Sequence, residues 1–277
     1  MAYSMSFNGI DMSGSTYGLT VRKASYPLSP EAVIPSISIP YHSGQFTSER
    51  WSQARQLSIP CVVVGTSASN LLTKLDAIAL LLNEKTDKKL ILDWQSDRYY
   101  LARLSSIERE HVGALAASLT LNFLVPDGHA YAASLTTQTE APFTTAVAFD
   151  VPDSAALLAG TQYCEPIINV RPDPAVTVSA TIIIAVSPCG FSIQTTADFV
   201  GGTNSWFRVH SGLKKWQTGT GSGAGTVLPT TWTDAMTYVS GTFPILTPGA
   251  SNTITITVTG TTAADNRCVV QYRPRYL

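Results

Sequence analysis

The apolar positions change period along the chain, and the changes divide it into elements. Leu57, Ile59, Cys61 and Val63 alternate with less apolar neighbours, which predicts a half-buried strand. Leu71, Leu72, Leu75, Ile78, Ala79 and Leu82 then fall on one face at helical spacing, with Lys74, Asp76 and Asn83 elsewhere; this predicts an amphipathic helix. Ser69 or Asn70 can cap its start, and Asn83-Glu-Lys-Thr-Asp ends the pattern. The runs 89–94 and 98–104 flank Gln95-Ser96-Asp97 as a hairpin. Ala117, Leu119, Leu121 and Phe123 alternate with Ser118, Thr120 and Asn122, again a strand with one buried face. One helix among antiparallel strands is an α+β arrangement.

Beyond residue 130 no helical period of comparable strength recurs. Alternating runs at 176–186 and 253–259 are separated by turn clusters at Pro172-Asp-Pro, Val200-Gly-Gly-Thr-Asn, 219–225 and Thr247-Pro-Gly-Ala-Ser-Asn, a pattern that predicts a β-sandwich or jelly roll. The chain therefore reads as mainly β in two parts. The first spans 1–131, a polar connector 132–145, and the second 146–277, with the final strand returning to the first domain.

Composition sharpens the picture. Charged residues make up only 13% of the 277 residues against 44% hydrophobic; a typical soluble domain has about 25% charged residues. Interface cores are depleted of charge, so the low fraction points to surface covered by partner subunits. Charge also thins along the chain, 23 charged residues in the first 140 against 14 in the last 137. A net charge of −1 with no basic block offers no source for specific nucleic-acid binding through phosphates. The β-branched stretch Ile182 to Val186 is too short for membrane insertion, and the N-terminus lacks a basic start and an apolar signal core, so synthesis in a cytoplasm is expected. Cys61, Cys164, Cys189 and Cys268 are far apart, with no C-x-x-C pair of the kind structural zinc needs. They read as small buried hydrophobes, the alternative being a Cys164–Cys189 disulfide.

Candidate catalytic chemistry is sparse, and the expectation is a non-enzyme with no catalytic residues, metal or cofactor. The glycine run from Gly219 lacks the Lys-Ser/Thr ending of a P-loop and reads as a hairpin tip. Glu108-Arg-Glu-His111 has metal-ligand residue types without H-E-x-x-H spacing; on a strand, Glu108 and Glu110 share a face opposite His111. The carboxylates Asp150, Asp153, Glu165, Asp173, Asp198, Asp234 and Asp265 mostly adjoin turn residues, and nothing pairs two of them as a glycosidase requires. Cys164 or Cys189 with His210 is a conceivable nucleophile pair without a supporting motif. Trp206, Trp216 and Trp232 could stack on sugar rings, although tryptophan more often serves a core or an interface.

Several segments together resemble distal tail proteins of long-tailed phages. They are the strand 107–111, Leu119-Thr-Leu-Asn-Phe-Leu-Val-Pro-Asp with Tyr131 after it, and the order of strand 57–64, helix 70–84 and strand–turn–strand with Asp97-Arg-Tyr-Tyr. The second half adds Gly160-Thr-Gln-Tyr-Cys-Glu-Pro-Ile-Ile, Ser240-Gly-Thr-Phe-Pro-Ile-Leu-Thr-Pro-Gly-Ala-Ser-Asn-Thr-Ile and Gln271-Tyr-Arg-Pro-Arg-Tyr-Leu277. The resemblance implies a tail-tube-like β-sandwich or split barrel with one helix, followed by a galectin-like or carbohydrate-module-like sandwich. It also implies a homo-hexameric ring at the virion tail tip. The ring would join the tail-tube protein to the tail hub and leave a channel for the tape-measure protein and DNA. The outer domain would dock receptor-binding or adhesion proteins, or contact host surface glycan. A ring of this kind needs one surface patch to meet a different patch on the next copy.

Overall fold

The structure is a computed structural model, and it describes residues 3–22, 31–33, 36–37, 46–47, 51–152, 158–172, 178–199, 205–221, 228–234, 239–259 and 265–276. The chain forms two compact units, Met1–Ala133 with Tyr276–Leu277, and Ser134–Arg275. Both are built mainly from antiparallel strands, with one α-helix among the described residues.

In the N-terminal unit the strands follow the order Ile10–Asp11, Met5–Phe7, Lys88–Leu92, Arg98–Val112, Ala116–Val125, Arg55–Val64 and Leu19–Val21. The 15-residue strand Arg98–Val112 joins the halves of this sheet. Its start pairs with Lys88–Leu92 and Ala130–Ala132, and its remainder with Ala116–Val125, with register shifts at Leu104/Ser106 and Arg109/His111. Such bulges bend a strand and raise its twist. The expected alternation holds on the inner face: Leu57, Ile59, Cys61, Val63, Ala117, Leu119, Leu121 and Phe123 are all buried, in one cluster with Met5, Phe7, Met12 and Leu90. Between strands Leu19–Val21 and Arg55–Val64, Ala32–Val33 pairs Trp51–Ser52 and Ser36–Ile37 pairs Phe46–Thr47, a hairpin-like excursion.

The helix spans Ala68–Leu82 and buries Leu71, Leu75, Ile78 and Leu82. At about 1.5–3 kcal/mol per buried side chain, these four side chains hold it far more strongly than intrinsic helix propensity does. Leu72 and Ala79, expected on the same face, are exposed instead. The fully buried stripe is narrower than the sequence suggested, a single i, i+4, i+7, i+11 row, with Leu81 partly buried beside it. The cap also differs from expectation. Neither Ser69 nor Asn70 is the N-cap; Ser67 is, with Oγ accepting from the Asn70 N–H at 3.1 Å while Asn70 Oδ1 accepts from the Thr66 N–H at 3.1 Å. This reciprocal pair is a variant of the capping box.

The C-terminal unit is a β-sandwich. One sheet runs Thr136–Thr139, Arg267–Tyr272, Ile167–Arg171, Ser205–His210, Lys215–Thr220, Thr233–Asp234. The other runs Ala146–Val151, Asn252–Thr259, Val178–Ser187, Phe191–Phe199, Val239–Gly241. Strand Thr136–Thr139 lies within the stretch read as a connector. Between the sheets, Ile168, Val170, Phe207, Val209, Cys268 and Val270 meet Phe149, Val151, Ile182, Ile184, Val186, Ile254, Ile256 and Val258. The Thr247 turn is closed by a buried side chain. Asn252 Oδ1 accepts from the Thr247 N–H at 2.6 Å, and its amide donates to the Thr247 and Ala250 carbonyls. Two glycines of the sequence landmarks sit where no other residue fits. Gly160 has φ +111° and Gly241 φ +104°, and a Cβ would strike the carbonyl oxygens of Arg275 and Ser192 respectively.

Candidate functional site: an apolar groove and a polar sheet face

Two surfaces carry features that packing alone does not require. The first lies beside the helix. Ala79, Leu80, Leu82, Asn83, Glu84, Leu104 and Ser105 line an open recess of about 540 Å³. A smaller cavity of about 150 Å³ continues from the shared Ala79 to Leu75, Ile78, Ile107, Arg109 and Leu119. Leu80 stands on its rim, 79% exposed. At the opposite, N-terminal end of the helix a second apolar patch protrudes. Val64 and Leu115 are each 52% exposed there, brought together by the Gly65 N–H donating to the Leu115 carbonyl. A 15-residue helix sets the two patches about 20 Å apart. Isolated exposed leucines need no explanation; here Leu80 stands beside a lined groove, and Val64 and Leu115 form a separate projection.

The second surface is the outer face of the sandwich sheet that contains Ser205–His210. Alternation sends Phe207 and Val209 to the core and Trp206, Arg208 and His210 outward. The guanidinium carbon of Arg208 lies 3.6 Å from the Trp232 ring centre, and its Nε–H donates to Asn169 Oδ1 at 2.8 Å. Burial lowers the Arg208 pKa to about 10. Burial first, then the neighbouring Arg208 charge, pulls His210 below its ordinary value. Beside them Asp234 accepts from Lys215 Nζ at 2.8 Å and Gln217 Nε2 at 3.0 Å.

The three tryptophans that could stack on sugar rings are not brought together. Trp206 is 0% exposed, near the Arg171 guanidinium, and has no open ring face. Trp216 stacks on Phe243 at 5.6 Å against the inter-sheet core. Trp232 is half-buried on Arg208. The strand alternation alone could not separate these roles, because it assigns a face and not what covers it. Arg208 was missed, although a charged residue between Phe207 and Val209 is a visible signal of a specialised outward face. Leu80, off the apolar stripe of the helix, was also passed over.

The remaining candidates resolve into structural roles. All four cysteines are free. Burial pushes the Cys164 thiol up to about 11 and the Cys61 thiol to about 12, which leaves negligible thiolate at neutral pH. Asp150 accepts from Thr253 Oγ1, Glu165 pairs with Arg275, and Asp265 is shared by Arg171 at 2.6 Å and Arg267 at 2.7 Å. Asp153 and Asp173 lie outside the described residues, as do 222–227 of the glycine run and the side chains of His111 and Asp198. Glu108 and Glu110 are tied to Asn122 and Thr120 across the neighbouring strand. Among the described residues no group of three His, Cys, Asp or Glu could hold a metal ion, and no helix is long and apolar enough to cross a membrane.

Residues 13–125 match the family described as phage tail protein RIFT-related domain. The N-terminal unit is thus similar in sequence to a phage tail protein domain over that stretch. No curated protein matches the chain. Among solved structures it is similar to the SPP1 Dit (gp 19.1) protein, a paradigm of the hub adsorption apparatus in phages infecting Gram-positive hosts. The two chains are 15% identical, each covered to 99%, with a TM-score of 0.73. It is also similar, at 8% identity and a TM-score of 0.52 over 99% of this chain and 97% of the other, to a chain of the phage P2 baseplate in its activated conformation with Ca. The resemblance to distal tail proteins found in the sequence is upheld, and the fold over the whole length is the one that Dit has.

Proposed function

We propose that this chain is a structural subunit of a phage tail tip, in which copies close side by side into a hexameric ring between the tail tube and the hub. The ring leaves a channel for the tape-measure protein and DNA, and the C-terminal unit faces outward to dock receptor-binding or adhesion proteins. The observation that carries this reading is the full-length fold likeness to SPP1 Dit, coupled to a phage tail domain match on the unit that bears the apolar groove.

The groove supplies a physical route to a ring. A heterologous contact needs two different patches on each copy, and the Leu80 groove and the Val64–Leu115 projection are such a pair. Seating the projection of one copy in the groove of the next removes apolar surface from water at about 25 cal/mol per Å². It also excludes indefinite edge pairing, because the contact is made by side chains and closes on itself. The role is structural, and no step of it requires catalysis.

Light scattering and negative-stain images of the purified full-length protein test the proposal. Rings with a central hole are expected. Leu80→Asp places a charge at the groove rim of an exposed residue, so it should yield folded monomers with unchanged thermal stability. Wild-type protein that stays monomeric at high concentration, or Leu80→Asp protein that still forms rings, would sink this reading.

A further inference from the structure

We propose that Arg208, held by Asn169 and Trp232 on the outer face of the C-terminal sandwich, is a recognition site for an anionic saccharide. The ligand is a sugar chain bearing carboxylate or phosphate groups. The inference stands on the C-terminal unit alone and does not depend on the ring.

The argument begins with how the guanidinium is fixed. In register, Arg208 sits between Asn169 on one neighbouring strand and Gln217 on the other. Asn169 is wholly buried, and its amide nitrogen donates to the Val269 carbonyl at 2.9 Å. That bond leaves Asn169 Oδ1 as the acceptor for Arg208 Nε–H at 2.8 Å. Trp232 covers one face of the guanidinium plane at 3.6 Å. Position and plane are both set before any ligand arrives, so little side-chain entropy is left to lose on binding.

The second point is charge. In the same unit Arg171 and Arg267 meet Asp265, and Arg275 meets Glu165. Arg208 meets no carboxylate among the described residues. Asp234, on the strand beyond Gln217, is occupied by Lys215 and Gln217, and Glu165 is paired with Arg275. A partly desolvated cation with no counter-charge is unfavourable in the free protein, which agrees with the lowered pKa of the group. An oxyanion accepting from the two terminal nitrogens would relieve that cost, and the planar fork of arginine suits carboxylate or phosphate in two parallel bonds.

The third point is what surrounds the cation. His210 has its pKa pushed down and is neutral at pH 7, and its Nδ1 accepts from the Leu213 N–H at 3.2 Å, which assigns the proton to Nε2. Gln217, Lys215 and Asp234 complete a polar rim. Hydroxyl-rich sugars are served by such side-chain donors and acceptors around a single charged anchor. An acidic protein segment is less well served, because a protein interface has an apolar centre. The nearest exposed large apolar residue, Leu213, lies in the adjoining turn and not on the sheet.

The test uses the full-length protein and three probes at low salt: a galacturonic-acid oligosaccharide, a glycerol-phosphate polymer and polyglutamate, with a neutral galactose oligosaccharide as control. Binding is followed by calorimetry and by the Trp232 indole signal in NMR. Binding of either anionic polymer with a shift at Trp232, and none of the neutral sugar, is the expected result. The preferred one of the two identifies carboxylate or phosphate as the source. Arg208→Gln should weaken binding at least about tenfold, and Arg208→Lys, which keeps the charge but loses the fork, by a smaller factor. The Trp232 shift in wild-type protein supplies a readout that does not depend on either variant folding. Absence of binding by wild type, equal binding by Arg208→Gln with native stability, or preference for polyglutamate would each overturn the assignment.

Discussion

The two units solve the same problem, a sheet with one buried face, and finish the other side differently. In the N-terminal unit the helix and strand Arg98–Val112 leave an apolar groove between them, with Leu80 on its rim and polar pairs such as Thr120–Glu110 confined to the strand surface. In the C-terminal unit the outer face of one sheet buries Asn169, Arg171 and Trp206, with Asn169 donating to the Val269 carbonyl, Arg171 paired with Asp265, and Trp206 beside the Arg171 guanidinium. An apolar recess gains by being covered with something equally apolar. A polar, cationic face gains by meeting a charged or hydroxylated ligand. The difference teaches that the same alternating pattern can leave a leucine-rimmed recess on one unit and a cationic polar face on the other.

The sharpest way to break that comparison is at the cores. Phe123, tilted against Phe7 with ring centres 5.7 Å apart, is fully buried in the N-terminal unit. Phe123→Ala should cost about 3–5 kcal/mol, read as faster hydrogen exchange across Arg55–Val64 with Asn252–Thr259 unaffected. Equal loss in both segments would mean that the two cores do not unfold separately. A smaller effect should follow from Asp265→Ala, which removes the carboxylate shared by Arg171 and Arg267. Because Asp265 is itself partly exposed, about 2 kcal/mol is expected, below the figure for a fully buried pair. Exchange in Ile167–Arg171 reports it, and an unchanged C-terminal unit would show that the polar layer is ornamental. The smallest effect is Ser67→Ala, about 1 kcal/mol of helix stability, visible as faster exchange at the Asn70 and Leu71 amides. Ser67→Asp should restore it.

Much of this was legible in the chain. The strands around Leu57–Val63, Ala117–Phe123, Ile182–Val186 and Ile254–Val258 follow from alternation, since a half-buried strand can satisfy its core in only one phase. The helix was legible for the same reason at another period. What escaped was set by distant residues. That Met5–Phe7 lies beside Lys88–Leu92 is a pairing across more than eighty residues, and no local pattern encodes it. The cap escaped because Ser67 precedes the first buried leucine by a full turn. Trp206 escaped because the Arg171 guanidinium beside it comes from another strand, and Arg208 because it has no carboxylate partner among the described residues, which only three dimensions reveal.

Strand Arg98–Val112 serves two sets of neighbours at once, and that constrains how the gene can vary. Adding or deleting one codon between Tyr100 and Leu104 would turn every later side chain inside out along the border with Ala116–Val125, away from the register held by Lys88–Leu92. Changes of length can settle only where the ladder already slips, at Ser105 or Glu110, or in the turn at 113–115. Relatives of this chain should therefore keep this stretch constant in residue count however far their letters drift.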